Sequence, residues 1–395
     1  MAPCGMRTAF LMSALLVAIG APGGAQQSVG EWKGAGALSV GRYAAVGALL
    51  ADGRALIAGG YSFEQNRTHA SSEIFDLGTG TWAEGPKMRF DRNFPEVLAL
   101  PSGDSLFVAG FRGRTGTTAT SERLDAKLAT FARDAEAGAP PAIEERELFA
   151  ATRLQDGRYL LTGGYSTVRR KTLNSAEIYD SKQGAFIAVS GKLHHARFGH
   201  TGVLLPSGQV LIVGGKVLAT EARVLPAELF DPANGTFEET GSLTVGRDRC
   251  TAWLLQTGNG DRSRFRVLVA GGSAKDGGTT PARSCEEYDV AAGKFGPGPE
   301  LVRDRMAHTA TPLGDGRVLL VGGWSNTDNA TTRQAELWDP KQERFVPAGT
   351  LAHGRHDHVA LRLRDGRVLV AGGKEAPARE GVETPLTAEI WSSPK

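Results

Sequence analysis

Beyond residue 25 the 395-residue chain has no long apolar run, so no later segment is expected to cross a bilayer as a helix. Charge of one sign is lacking as well: 45 Lys and Arg stand against 43 Asp and Glu, with no dense basic run, which argues against nucleic acid as a partner. Cysteine is scarce. Only Cys250 and Cys285 lie beyond residue 25, and Cys4 precedes the first apolar run instead of following it, so it is not placed to carry a lipid.

What is present begins with a leader. In "MAPCGMRTAFLMSALLVAIGAPGGAQQ", basic Arg7 precedes an apolar run from Ala9 to Ile19, and small residues Gly23 and Ala25 follow. That order matches a secretory signal peptide of residues 1–25. Residues 26–395 are then expected to form one soluble, exported domain, secreted or periplasmic, long enough to bury a large core. The 52 glycines, with normal apolar content, point to an all-β chain with many tight turns.

A glycine pair recurs at 59/60, 163/164, 214/215, 271/272, 322/323 and 372/373, with Ala109 and Gly110 filling the gap. Successive second glycines are 50, 54, 51, 57, 51 and 50 residues apart. A phosphate-cradling loop does not occur seven times in one chain, whereas a period near fifty suits a propeller blade of four strands. Each copy reads that way. "GHTGVLLPSGQVLIVGG" supplies two apolar strands and a turn, and "PAELFDPANGTFEETG" a third strand, a turn and an outer strand. The last copy ends without an outer strand, while "GEWKGAGALSVGR" near the start sets Trp32 where Trp82 stands in the first blade. Residues near 30–36 are therefore expected to close the ring in the seventh blade.

On these seven copies the chain resembles secreted bacterial kelch-repeat proteins, of the superfamily that includes the galactose oxidase central domain. The resemblance implies an all-β, seven-bladed propeller and leaves the chemistry open, since this fold hosts unrelated functions.

Two residues recur in every copy. Arginine precedes each inner strand (Arg42, Arg92, Arg146, Arg197, Arg247, Arg305, Arg355), and glutamate opens each third strand (Glu73, Glu122, Glu177, Glu228, Glu286, Glu336, Glu389). Both loops emerge on one face, so the two sets are expected to pair as structural ion pairs within or between blades. Aspartates three positions after glutamate (Asp76, Asp125, Asp180, Asp231, Asp289, Asp339) read as turn caps. Cys250 and Cys285 open the first and third strands of one blade. With a strand between them their Cα atoms would stand about 10 Å apart, against less than about 7 Å for a disulfide, so they are expected to remain unlinked, although being the only pair in an exported chain argues the other way.

Function is expected where copies differ. Three residues after each arginine stand Ala45, Pro95, Phe149, His200, Cys250, His308 and His358, so three blades carry histidine near the channel mouth. His353 and His356 lie close to His358 but do not complete a metal-ligand set, and no metal or cofactor is expected. After the glycine pair, Tyr61, Phe111, Tyr165 and Trp324 contrast with Lys216, Ser273 and Lys374. They are either a platform for a sugar or peptide, or lids on the blades. The opposite face is built from tight turns such as Asp52–Gly53, except for the longer hairpin "QTGNGDRSRFR" carrying Arg262, Arg264 and Arg266.

The expected function is a monomeric binding module for a protein or glycan, with Tyr61, Phe111, Tyr165, Trp324, His200, His308 and His358 as candidate contacts. The alternative is a carbohydrate-active enzyme. One form, like the periplasmic kelch sialic acid epimerases, would use Arg249 and Arg303 to hold a carboxylate. The other, like the copper radical oxidases, would need a tyrosine bonded to a cysteine, a second tyrosine and two histidines, a pattern this sequence does not show.

Overall fold

The computed structural model describes residues 30–132, 139–258, 264–274, 282–377 and 384–393. The expected leader, and Arg262 at the hairpin tip, lie outside them. The described residues form seven four-stranded antiparallel sheets and four two-stranded ribbons, without a helix. Six blades follow one another in chain order. The seventh contains Val359–Arg362, Val368–Ala371 and Thr387–Ser392, with Glu31–Ala37 added as its outer strand.

The ring is thus closed by pairing the two ends of the described chain, in a register that sets Trp32 against Trp391 and Lys33 against Ile390. Trp391 is fully buried, and Ala35 within the closing strand is nearly so. The strand also ties blade 7 to its neighbours. Trp32 Nε1 donates to the Ala348 carbonyl at 2.8 Å, and Trp82 Nε1 donates to the Ala35 carbonyl at 2.7 Å.

The second strand is buried along its whole length in five blades, as in Ala55–Ala58 or Val318–Val321, and over all but its ends in blades 4 and 5. That is why these runs are apolar throughout: alternate side chains face the preceding and following blades, so neither face meets water. One core cluster, for example, joins Val203 and Leu211 of blade 4 to Val267 and Val269 of blade 5.

The glycine pairs end these second strands and latch each blade to the next. The N–H of the second glycine donates to the carbonyl of the next blade's repeat arginine, from Gly60 to Arg92 around to Gly373 to Arg42, in all seven seams. The first glycine has φ between +57° and +76°, and a Cβ there would lie 2.2–2.6 Å from that same carbonyl oxygen. Only glycine satisfies both conditions without strain. Blade 2 departs from this with Ala109, held at φ +58° against the seam with blade 3. Ala109→Gly is expected to stabilise the protein by about 1 kcal/mol, since the left-handed conformation costs alanine about 1–2 kcal/mol and glycine's added chain entropy offsets part of that. A higher denaturant midpoint at unchanged slope checks it.

Each repeat arginine pairs with the glutamate of its own blade at N···O distances of 2.6–3.2 Å. All fourteen side chains are buried. Each arginine Nη1 also donates to the carbonyl of the first residue of its blade's pair, from Gly59 to Gly372. Each glutamate accepts a backbone N–H from the segment leading into the inner strand of its blade. The six aspartates cap turns, each carboxylate accepting from a backbone N–H two residues on.

Cys250 and Cys285 are free and buried, with Ala270 of the intervening strand paired to both Cys285 and Thr251. Burial pushes both thiols up to about 12.

Candidate functional site

The chain enters each inner strand through a residue two positions after the repeat arginine, and all seven residues adopt positive φ: Ala44, Phe94, Leu148, Gly199, Arg249, Ala307 and Asp357. Their backbones form a collar around the channel. The N–H of each residue donates to the carbonyl of its counterpart in the preceding blade, as from Phe94 to Ala44, Gly199 to Leu148, Arg249 to Gly199, Ala307 to Arg249, Asp357 to Ala307 and Ala44 to Asp357. Six seams are linked in this way. At the seventh, between blades 2 and 3, the Leu148 N–H and the Phe94 carbonyl have no such bond among the described residues. Ala109 stands at that same seam, where its Cβ occupies the place that a glycine leaves open elsewhere.

Within and below the collar lies a cavity of about 260 Å³, walled by residues from all seven blades. This is near the lower end of cavities that hold small molecules or a single inserted side chain. His200, His308 and His358 stand in its wall. Each ring places Nε2 at 2.9 Å from a threonine hydroxyl of the preceding blade: Thr162, Thr251 and Thr309 respectively. The rings pack over Gly163, Gly271 and Gly322, and each Nδ1 is without a partner among the described residues. Burial next to the repeat arginines pulls His200 and His358 down to about 3, and His308 well below its usual value. These are neutral imidazoles that fill blade seams.

The charged groups of the cavity are three. Arg249 of blade 5 forms an ion pair with Asp357 of blade 7, 108 positions away in the chain, and Asp357 also bonds His356 Nδ1 at 2.7 Å. Burial alone would raise the Asp357 carboxyl, but Arg249 and His356 hold it well below the usual carboxylate range. Tyr43 packs edge-on against His356 and Phe94, and burial together with Asp357 raises its phenol. The third group is Glu96 of blade 2, which has no hydrogen bond or ion pair among the described residues. Burial pushes it up to about 7. Glu147, next to Leu148 at the open seam, is also unpaired and also raised to about 7 by burial.

These two carboxyls make stability depend on pH. Their folded values lie above the ordinary 4.5, so the unfolded chain releases their protons first, and the stability they contribute below pH 4.5 is lost as pH rises through 7. Glu96→Gln is therefore expected to gain stability relative to the parent between pH 5 and pH 8. Parallel melting profiles for the two proteins would contradict this.

The other expected residues lie outside the cavity wall. Tyr61, Phe111, Tyr165 and Trp324 start the four two-stranded ribbons on the same face, half-buried, each bridged to the residue following a repeat arginine. The Tyr61 hydroxyl donates to the Asn66 side chain at 2.6 Å, and Tyr165 leans on Phe198. Arg303 contacts Gln334 and Asp328 on the rim and does not join Arg249. On the opposite face, turns such as Asp52–Arg54 and Asp315–Arg317 close on their own Asp–Arg pairs, and Arg266 is held by Glu287 and Glu343.

Fold and site together define a seven-bladed β-propeller with a small cavity of mixed polar and apolar lining at one channel mouth. A fungal alcohol oxidase of the AA5 family, solved in complex with copper, superposes with a TM-score of 0.70 over 93% of this chain and 77% of its own, at 16% identity. At that identity the likeness shows the fold alone. No family model and no curated protein matches the sequence.

The residues at the mouth do not fit a copper of that kind. The three histidines are turned to threonines in separate seams, His353 is bound to Glu375, and Cys250 in the wall is a free, buried thiol. Among the described residues no three His, Cys, Asp or Glu stand close enough to hold an ion. Nor is any helix of the described residues long and apolar enough to cross a membrane.

Glu96, Asp357 and Tyr43 are the residues that sequence reasoning passed over. Glu96 had a signal: four positions after the repeat arginine the other blades carry Val46, Ala150, Thr201, Thr251, Thr309 and Val359, so it is the one acid in the set.

Proposed function

We propose that this protein is an exported, monomeric binding module whose ligand, a protein segment or a glycan, docks on the face bearing the repeat arginines and reaches into the cavity. Tyr61, Phe111, Tyr165 and Trp324 give the outer contacts, while His200, His308 and His358 shape the wall. No metal or cofactor takes part in this reading. The observation that carries it is the cavity itself: seven blades converge on it, and it holds charged groups that the repeat does not account for. On the opposite face the turn residues are satisfied by one another.

A screen of the mature protein against glycans and cell-envelope extracts supplies the ligand. A buried aromatic anchor typically contributes 2 kcal/mol or more to binding, so Trp324→Ala and Tyr165→Ala are expected to weaken that ligand at least about tenfold while leaving the fold intact. Normal binding by both variants, with loss on changing Arg264 or Arg266, would place the ligand on the other face.

A second reading, a carbohydrate-active enzyme, is favoured by one observation. A carboxyl near 7 in a cavity suits a general base at neutral pH. Chemical change in a screened glycan, abolished by Glu96→Gln, would select it.

A further inference from the structure

The open seam and Glu96 belong together. The Phe94 carbonyl and the Leu148 N–H both stand in the cavity wall, and they lack the link that the other six seams make. Glu96 lies two residues from Phe94 on the same blade, lines the same cavity, and has no partner among the described residues. Arg249 and Asp357 neutralise one another elsewhere in the wall. The cavity therefore presents one carboxylate without a counter-charge and an unbonded carbonyl oxygen close by in the chain, and the Leu148 N–H across the seam is a neutral donor that does not balance the carboxylate's charge.

We infer that the cavity takes the cationic group of its ligand, an ammonium or guanidinium, with Glu96 as counter-ion and the Phe94 carbonyl as second acceptor. This inference rests on the reading of the mouth as a ligand site. A carboxylate withdrawn from water is costly alone, and a charge-assisted hydrogen bond to a fixed cation relieves that cost. An anionic ligand would meet the same carboxylate as a repulsive charge, which sets the selectivity.

Nothing else in the wall opposes a cation. Blades 1 and 3 contribute Ala44, Ala45, Val46, Leu148 and Phe149, none of which titrates. His200, His308 and His358 are neutral, Cys250 is a thiol, and Arg249 is held by Asp357. Glu147 stands beside the open seam but is not part of the cavity wall. Since Glu96 must ionise to bind, affinity is expected to rise as pH passes through 7.

The test uses Nα-acetyl-arginine amide and its neutral citrulline counterpart as probes, measured by calorimetry on the intact mature protein. The arginine probe is expected to bind once per chain, at least tenfold tighter than citrulline. Its affinity should be about tenfold higher at pH 8 than at pH 6, the ratio set by a group titrating near 7. Glu96→Gln should erase the preference and the pH dependence, and Glu96→Asp should keep both. Equal binding of the two probes, or a preference retained by a folded Glu96→Gln, overturns the inference. So does failure of the arginine probe to bind at any attainable concentration. In that event the ligand-face reading still stands if Trp324→Ala weakens the screened ligand, so the two failures are told apart.

Discussion

A chain that begins at residue 38 is expected to lose more than about 5 kcal/mol of stability and to aggregate on warming. The missing strand, Glu31–Ala37, is the outer strand of the seventh blade, and its register sets Trp32 against Trp391. Without it, fully buried Trp391 is uncovered and the edge of Thr387–Ser392 is left unpaired. Blade 7 also loses the hydrogen bond from Trp32 to blade 6, and blade 1 loses the one from Trp82. Truncating a single large core side chain costs about 3–5 kcal/mol, and this deletion removes a whole strand with its packing. An exposed strand edge is a template for association, hence the aggregation. Trp32→Ala is the milder probe: it keeps the strand and is expected to destabilise by about 2–4 kcal/mol. Calorimetric melting of both proteins, alike and unshifted, would contradict the closure.

Glu228→Leu is expected to cost about 3–5 kcal/mol, far more than a change at an exposed pair such as Arg54–Asp52. Arg197 and Glu228 are both fully shielded from solvent, and the substitution leaves the guanidinium buried with only carbonyl partners. It also removes the acceptor of the His194 and His195 backbone N–H groups. Asp52→Ala, by contrast, breaks a pair about half exposed, and is expected to change stability by less than about 1 kcal/mol. Chemical denaturation of the two variants side by side makes the comparison. Equal effects would mean that the seven buried pairs do not hold the blades.

Both predictions concern features visible in the sequence, and repetition is the reason. Seven copies of an arginine and a glutamate, and six of a glycine pair, mark positions where one backbone geometry imposes one residue type, and the missing last strand shows how the ring closes. The site was less legible because it lies in the departures from that pattern. The three histidines stand out at one repeat position, yet their rings are turned into the seams and bonded to threonines, which only the geometry reveals. Arg249 is conspicuous as an arginine outside the repeat. Its partner is not, because Asp357 comes from a blade two places on and meets it only when the ring closes. Ala109 reads as a degenerate glycine, but that it shares a seam with the missing collar bond shows only once blades 2 and 3 are set side by side. Glu96 was within reach of a comparison one position further along each inner strand.

The central claim is that ligand is received at the collar and its cavity. Hydrogen–deuterium exchange of a chain of residues 26–395, with and without saturating ligand from the screen, tests it most directly. Protection is expected in the collar segments around Phe94–Glu96, Leu148–Phe149 and Asp357–His358, and in the ribbons starting at Tyr165 and Trp324, with the Asp–Gly turns unchanged. Protection confined to those turns and to the strands ending at Thr257 and starting at Arg264, with the collar exchanging as before, would contradict it.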